Sequence, residues 1–304
     1  MANIITPAML QTFERAFHVA AQQKQTLLSG SGVVKYLSPE GKTNNYATLQ
    51  AFELQEALGQ NPNKIYDDYT TSNRQMSKRR FTKTIYIDDK DDVNELIADP
   101  TSYLVQGLVY AKNRVIDRII SDAASGAVLI GAPNTTPTST SAASDGVKTV
   151  DATAGLDYSS IQSITENFIN NDLTIDEIRG SVLAISGQEN TALMGEEKFI
   201  NNDYLNGSAV NAGIISSAGI YKTALFAGSV TGGSAVSNPV LKESGTTRTC
   251  LVLAPQSILV SMKLNDLRVE KSYTKVGSNE VTIDLWINAM RSEGKRVQLL
   301  ETTF

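Results

Sequence analysis

The longest run of helical periodicity in the chain lies between Asp99 and Ala127. Apolar residues recur there in pairs three or four positions apart, and this spacing predicts an amphipathic helix with one packed face. Asp99 can cap the first turn, Pro100 fits the first helical position, and Gly126 can end the helix. At 1.5 Å per residue such a helix is roughly 40 Å long, about the width of a whole domain.

The opposite side of this helix carries charged residues at neighbour spacing. Arg114 and Asp117 are three positions apart, and Arg118 and Asp122 are four positions apart. Side chains at these spacings face each other on a helix surface. We therefore predict that both pairs lie on the solvent-facing side of the helix.

The region before this helix, residues 35–87, alternates apolar and polar residues in two runs. The runs Tyr46–Leu54 and Phe81–Ile87 are typical of strands, and they flank a polar stretch, Gln60–Asn73. We interpret the two runs as the arms of a long hairpin. A hairpin with so little apolar surface is only marginally stable alone, so we expect it to lie on another surface, with a second copy of the chain as a candidate.

Charged residues in the same region are grouped by sign. Basic residues lie between positions 78 and 83, and acidic residues lie at positions 67–68 and 88–92. Opposite bands on one arm favour docking between copies of a chain. The predicted inter-subunit contact residues are Lys78, Arg79, Arg80 and Lys83 in the basic band, and Asp67, Asp68, Asp88 and Asp89 in the acidic bands. Contact of the basic band with DNA phosphates is the less favoured alternative.

The second half of the chain mixes helical and strand-like periodicity. Residues 158–170 have helical spacing, and the apolar run Ser181–Ser186 after them is typical of a buried strand. We interpret Gln188–Met194 as a further helix after this strand. The runs Leu267–Tyr273 and Val281–Ala289 predict a hairpin with one packed face. The pattern as a whole predicts an α+β fold. Polar stretches typical of surface loops occur at residues 134–145, 228–238 and 244–247.

The chain carries little of the chemistry that active sites use. It has one histidine, His18, in an amphipathic segment, and one cysteine, Cys250, in an apolar run. This set supplies neither the usual zinc ligands nor the partnered histidine of a nucleophilic site. The acidic run Asp88–Asp92 lacks the glycine and glutamate of a calcium loop, and Asp92 with Glu95 favours a helix cap. We predict no enzymatic activity, no metal and no cofactor.

Composition narrows the class of protein. The 304 residues are 41% hydrophobic and 19% charged, which is ordinary for a globular protein, and the net charge of −5 argues against tight binding of nucleic acid. No apolar run approaches the roughly 20 residues that span a bilayer, and the N-terminal segment lacks the pattern of a secretory signal. We therefore expect the chain to remain in the cytoplasm where it is made.

The order of these elements resembles the major capsid proteins of tailed bacteriophages, which have the Hong-Kong-97-type fold. Met9–Leu28 resembles the N-terminal arm helix of that family, and the long helix resembles its spine helix. The sharpest likeness is Phe199–Tyr204, followed by Gly213–Ile215 and Gly219–Ile220. Val281–Met290 and the closing Val297–Leu300 resemble the C-terminal strands of the peripheral domain, with Asn288-Ala289 where relatives often place Gly-Ala.

The resemblance implies an α+β capsid fold with four parts. These are an N-terminal arm over residues 1–35, an extended loop hairpin over 36–87, a peripheral domain with the spine helix over 88–151 and 263–304, and an axial domain over 152–262. It also implies a homo-oligomer of hexamers and pentamers, a separate scaffolding protein, a portal protein and a decoration protein, with double-stranded DNA enclosed without specific binding. Assembly in the host cytoplasm and a final place in the virion follow from the same likeness.

Two other structural roles and one enzymatic role compete with this interpretation. An encapsulin-like bacterial compartment shell shares the fold, and it would close without scaffold, portal or DNA. A tail or other virion protein would form tubes or rings instead of closed shells. A hydrolase would need a cluster of partnered titratable groups, which the sequence does not display. Covalent Lys to Asn crosslinks, known in some relatives, are not expected here because no acceptor and catalytic acid can be matched.

Overall fold

The computed structural model describes residues 23–49, 71–88, 100–132, 135–195, 214–215, 221–226, 240–272 and 278–303, together with positions 52, 54 and 56. Several sequence predictions lie outside these residues: the arm helix up to residue 22 with His18, the Asp92 to Glu95 cap, and the Phe199–Tyr204 segment. Residues 23–32 contain only bends and turns, so the predicted arm helix does not extend to Leu28.

The predicted long helix is confirmed as α1, Pro100–Ser125. It ends at Gly126, whose N–H donates to the carbonyl of Asp122 at 2.8 Å. Its apolar stripe is buried, and the buried side chains of this stripe are Leu108, Ile116, Ile119, Ile120 and Ala124. The helix covers one face of a four-stranded sheet, because apolar side chains on both elements leave water together.

That four-stranded sheet has the order β1-β13-β14-β4. Its strands are β1 (Val34–Tyr36), β4 (Arg79–Asp88), β13 (Ile258–Lys271) and β14 (Ser278–Arg291). The antiparallel pair β13 and β14 is the predicted C-terminal hairpin, with a register shift between Leu264 and Asp266. Val281, Leu285 and Ile287 of β14 are buried, which confirms its packed face.

The N-terminal hairpin differs from its prediction in its second strand. Strand β2 (Thr43–Leu49) pairs with β3 (Thr71–Ser77), which lies partly in the stretch predicted as polar loop. The run Phe81–Ile87 is part of β4 and pairs with β14 instead. The physical reason is burial, since Phe81 and Ile85 pack against the apolar side chains of β14 and α1, whereas β2 offers no comparable surface.

The hairpin continues into a small sheet of its own, in the order β2-β3-β5-β6. Strands β5 (Val128–Gly131) and β6 (Thr138–Thr140) follow directly after α1. The stretch predicted as a surface loop at 134–145 thus contains a strand and a short 3-10 helix, Ala143–Asp145. A separate small cluster of Met76, Val128, Leu259 and Met290 holds this sheet against the four-stranded one.

The third sheet has seven strands, with β11 paired to β12 beside the path β7-β15-β12-β8-β10-β9. Its strands are β7 (Lys148–Ala152), β8 (Val182–Ser186), β9 (Ile214–Ile215), β10 (Tyr221–Phe226), β11 (Lys242–Ser244), β12 (Thr247–Leu253) and β15 (Val297–Thr303). All five residues of β8 are buried, as predicted for a central strand.

The closing strand β15 belongs to the seven-stranded sheet and not to the sheet of β13 and β14. It lies between β12 and β7, and Leu300 stands opposite Cys250 and Val150. Val297 and Leu300 are fully buried, and Gln298 donates to the carbonyl of Ile164 at 2.9 Å. This apolar and hydrogen-bonded environment explains why the strand joins the larger sheet.

Three helices pack around the seven-stranded sheet: α2 (Tyr158–Ile169), α3 (Ile175–Arg179) and α4 (Gly187–Gly195). Helices α2 and α4 match the predicted helices. Asp157 caps α2 by accepting from the N–H of Ser160, and Thr174 with Glu177 forms a capping box on α3. One hydrophobic core runs from α1 through both larger sheets. The helices and the mainly antiparallel sheets make the chain α+β, as predicted.

Candidate assembly surfaces

Lys78 stands at the single-residue junction between β3 and β4, where the chain passes from one sheet to the next. Its side chain is buried, and Nζ donates to the carbonyls of Pro39, Glu40 and Gly41, the last at 2.7 Å. Burial and the charge of Lys263 lower the pKa of Lys78. Lys78 therefore fastens the base of the hairpin within its own chain, which differs from its expected role as a contact between copies.

The other three members of the basic band, Arg79, Arg80 and Lys83, are exposed on β4. The guanidinium of Arg79 lies 5.9 Å from the ring centroid of Phe81, and Arg118 of α1 lies 5.8 Å from the same centroid. These three side chains are placed where another molecule can reach them. Their role in inter-subunit contact remains a prediction.

Arg80 is held in a fixed position although it is exposed. Its guanidinium donates to both carboxylate oxygens of Asp284, at 2.8 and 3.0 Å, and it lies 5.9 Å from the ring centroid of Trp286. The hydrogen bond to Asp284 raises the pKa of Arg80. A bidentate ion pair and an aromatic neighbour orient the guanidinium before any partner arrives.

The acidic members of the predicted contact set are mostly outside the described residues. Asp67, Asp68 and Asp89 belong to segments that the structure does not describe. Asp88 ends β4 and stands opposite Ser278 of β14. Among the described members of the set, Asp88 therefore lies on the same strand as Arg79, Arg80 and Lys83.

A buried ion cluster centred on Asp145 was not predicted from the sequence. The carboxylate of Asp145 accepts from Arg74 of β3 at 2.6 and 2.9 Å, and from Nε of Arg291 at 3.1 Å. All three charged side chains are almost completely buried. Burial lowers the pKa of Arg291, and the hydrogen bond that Arg291 donates to Asp145 opposes this effect.

Arg291 also binds the C-terminal end of α1. Its Nη1 donates to the carbonyls of Ala123 at 2.8 Å and Ala124 at 3.1 Å, and to that of Gly126. These carbonyls have no partner within the helix, and a cation at this end also complements the helix dipole. One cluster thus joins the hairpin, the long helix and β14.

Glycine is required beside this cluster at position 294. A Cβ atom at Gly294 would overlap the backbone carbonyl of Asp145. Asp145 ends the 3-10 helix Ala143–Asp145, and Gly294 begins a second one, Gly294–Arg296. The backbones of these two short helices are therefore in direct contact.

Asp117 contradicts its prediction as a solvent-facing residue of α1. Its side chain is fully buried and accepts from the N–H groups of Leu27 at 2.9 Å and Leu28 at 3.3 Å, and from the amide of Gln23. Burial raises the pKa of Asp117. Asp117 therefore holds residues 23–28 against the middle of the long helix.

The other predicted pair on α1 also has different neighbours. The carboxylate of Asp122 lies 3.3 Å from Nζ of Lys242, which comes from β11. Arg118 lies over Phe81 of β4, as described above. Helical spacing thus predicts the partly exposed face of the helix correctly for Arg118 and Asp122. It does not predict that their partners are Phe81 and Lys242 from other elements.

A second buried ion cluster lies in the seven-stranded sheet. Arg248 of β12 donates to Glu189 of α4 at 2.7 Å and to Glu243 of β11 at 2.9 Å. Thr302 of β15 also donates to Glu189, at 3.0 Å. Burial alone would raise the pKa of Glu189, but hydrogen bonds from Ser186 and Arg248 bring it below its usual value. This cluster fixes α4 on the sheet.

Cys250 is the free thiol predicted for a buried strand. It is fully buried in β12, and burial raises its pKa to about 12. Within the part of the chain that the structure describes, no three His, Cys, Asp or Glu side chains are grouped as a metal site requires. No helix among the described segments has the length and hydropathy needed to cross a membrane.

The fold matches those of solved phage capsids. The capsid structure of the cyanophage P-SCSP1u has a TM-score of 0.68 at 15% identity and covers 98% of this chain and 94% of its own. The head structure of Helicobacter pylori bacteriophage KHP40 has a TM-score of 0.67 at 10% identity, with 97% and 95% covered. The capsid of Ralstonia phage GP4 has a TM-score of 0.64 at 10% identity, and the match covers 100% of this chain and 98% of the phage protein.

Sequence comparison identifies the family independently of these structures. No curated protein matches the sequence significantly. The profile of the family described as phage capsid protein, however, matches residues 5–298, nearly the whole chain. These matches do not favour an encapsulin-like compartment protein, and membership of a phage capsid family places the chain in the virion. The chain belongs to the phage capsid protein family, and it is a major capsid protein.

Proposed function

We propose that this chain builds the icosahedral head shell of a tailed phage as hexamers and pentamers, and that the shell encloses double-stranded DNA. The observation that carries this proposal is the family match over residues 5–298. Heterologous contacts between identical subunits form a closed ring when the rotation between neighbours adds up to a full turn. One chain can therefore supply both capsomer types, if this rotation differs between hexamers and pentamers. The axial part, residues 152–262, would surround the ring axis, and residues 88–151 and 263–304 would meet neighbouring rings.

The hairpin supports a role in contacts between subunits. Its base and its second strand, β3, are anchored within the chain by Lys78, by the small cluster around Met76, and by Arg74, which pairs with β5 and binds Asp145. Farther out, Leu49, Phe52 and Leu54 are exposed, with Leu54 fully so. Apolar side chains in this position are stabilised when a second copy covers them. We propose that the hairpin overlaps the adjacent copy, with Arg79, Arg80 and Lys83 and the acidic residues Asp67, Asp68, Asp88 and Asp89 as contact candidates.

The remaining partners are proposed from the family. A separate scaffolding protein would guide assembly in the host cytoplasm, a portal protein would occupy one vertex, and a decoration protein would bind outside. The net charge of −5 supports a shell that DNA enters and leaves without specific binding. No catalytic role is proposed for the chain.

Negative-stain electron microscopy tests this function. The chain is expressed alone and together with its genomic neighbours, and the products are imaged. We expect closed shells of uniform size when the scaffolding protein is present. Uniform closed shells from the chain alone would support a compartment shell, and tubes or open rings would support a tail or other virion protein. Either of these results would contradict the proposal.

A further inference from the structure

The sheet formed by β4, β14 and β13 has a second face, opposite α1, that carries a cation-aromatic-cation row. Arg80 stands opposite Trp286 on the neighbouring strand, and Trp286 stands opposite Lys263 on the next. Arg80 and Lys263 are exposed, and Trp286 is only partly buried. We name these three residues the Trp286 row.

The composition of this row is suited to binding another protein surface. Tryptophan and arginine dominate the energetics of protein interfaces. Arg80 is already oriented by Asp284, so little side-chain entropy is lost when a partner binds. Asp284 compensates the charge of Arg80, and Lys263 is an exposed cation at the other end of the row. A complementary partner would carry carboxylates next to apolar side chains.

The segment Leu49–Glu56 has that composition. Leu49, Phe52 and Leu54 are exposed apolar side chains, and Glu53 and Glu56 lie among them in the sequence. No other partner needs to be invoked, because the subunit itself is present in many copies in a shell. The segment Leu49–Glu56 therefore matches the Trp286 row in charge and in apolar character.

The direction of the hairpin prevents the segment from reaching the row of its own chain. Thr43 of β2 pairs with Ser77, next to Lys78 at the hairpin base, whereas Leu49 pairs with Thr71 at the far end. Six residues of strand separate these ends by roughly 20 Å. Arg80 lies only two residues beyond the base, so β2 carries Leu49 away from its own row.

We propose that the Trp286 row of one subunit is the docking site for the Leu49–Glu56 segment of a second copy. This inference rests on the proposed function and specifies where the overlapping hairpin binds. The cations would pair with Glu53 and Glu56, and the indole ring of Trp286 would cover exposed apolar side chains of the segment.

Trp286 itself provides the test, because it is the only tryptophan in the chain. Tryptophan emission and acrylamide quenching are compared between free subunits and DNA-free shells, with Trp286→Phe shells subtracted to remove the emission of other proteins. Assembly is expected to shift the emission to shorter wavelength and to remove most of the quenching. Equal quenching in both states, or a change only after DNA is packaged, would overturn the proposal.

A pair of charge variants tests the partner. Lys263→Glu is expected to raise the subunit concentration needed for shell formation about tenfold, since it places like charges together in the contact. Lys271→Glu is the matched control, because Lys271 is an exposed lysine at the far end of the same strand, and this variant should assemble like the unmodified chain. An equal effect of both variants would contradict docking at the Trp286 row.

Zero-length carbodiimide crosslinking identifies the segment directly. Shells are assembled from a mixture of light and heavy-isotope subunits, and mass spectrometry is expected to find Lys263 of one copy joined to Glu53 or Glu56 of another. Lys263 linked only to other acids would overturn the inference while closed shells would still support the proposed function. Failure to form any shell under all conditions would instead contradict the proposed function.

Discussion

The carboxylate of Asp145 lies between two buried guanidinium groups, those of Arg74 and Arg291. These residues come from parts of the chain that are 71 and 146 positions away from Asp145. A buried ion cluster of this kind contributes specificity, and the loss of one member leaves uncompensated charge in the interior. The cluster therefore acts as a fixed joint between the hairpin and the long helix.

We predict that Asp145→Asn lowers the free energy of unfolding by about 3–5 kcal/mol, because two buried cations would lose their counter-charge. Denaturant unfolding of the subunit measures this change. Asp176→Asn is the control, since Asp176 is exposed and its oxygen lies 3.9 Å from Arg179; it should leave the midpoint unchanged. Similar midpoints for both variants would show that the Asp145 cluster does not stabilise the fold.

Cys250 gives a second prediction at this scale. Because burial raises its pKa to about 12, the thiol is protonated at neutral pH and is shielded from reagents. A thiol reagent at neutral pH should therefore leave the native subunit unmodified and react fully after denaturant is added. Rapid modification of the native subunit, measured by mass spectrometry, would contradict the described burial.

Long-range pairs of this kind could not be predicted from the sequence. Periodicity reports which face of a helix or strand packs, but it contains no information about segments far apart in the chain. Asp145 lies in a stretch of small polar residues that is typical of a surface loop, and nothing local distinguishes it from its neighbours. Only the fold brings Arg74 and Arg291 to it.

The elements that were predicted well are those with strong local patterns. The long helix α1 has paired apolar positions and marked ends, and β13 and β14 alternate over many residues. The second strand of the N-terminal hairpin was misplaced because two candidate strands, β3 and β4, are separated only by Lys78. Strand β4 pairs with β14 because its apolar side chains are buried there, and the more polar β3 pairs with β2.

The attachment of residues 23–28 to α1 gives a prediction for an element. Asp117→Asn keeps one acceptor oxygen but loses the second, so at least one N–H of Leu27 or Leu28 loses its partner. The expected cost is about 1–3 kcal/mol of local stability. Hydrogen exchange should become faster at the amides of Leu27 and Leu28 and remain unchanged in β8.

Asp122→Asn is the matched control for this variant. Asp122 lies on the same helix, but its partner Lys242 is on the protein surface and half exposed. Hydrogen exchange at Leu27 and Leu28 should be the same in Asp122→Asn as in the unmodified chain. Faster exchange in this control would mean that the helix as a whole, and not the Asp117 contact, had been weakened.

At the scale of the whole molecule, shell stability depends on many modest contacts repeated between subunits. Such a shell can be kinetically stable without covalent links. We predict that particles boiled in SDS give a single band for this chain at its mass of 32.8 kDa. A ladder of multimers on the gel would show that subunits are crosslinked and would contradict this prediction.

The position of β15 has a consequence for the synthesis of the protein. Strand β7 pairs only with β15 among the described strands, and β12 also pairs with β15 along its length. In a nascent chain β7 therefore stays unpaired until residues 297–303 have left the ribosome. Pairing between segments so far apart in the sequence is slow, because a long loop must close first. Chains released before residue 297 would lack β15, and β7 and β12 would then expose an unpaired edge to other unfinished chains.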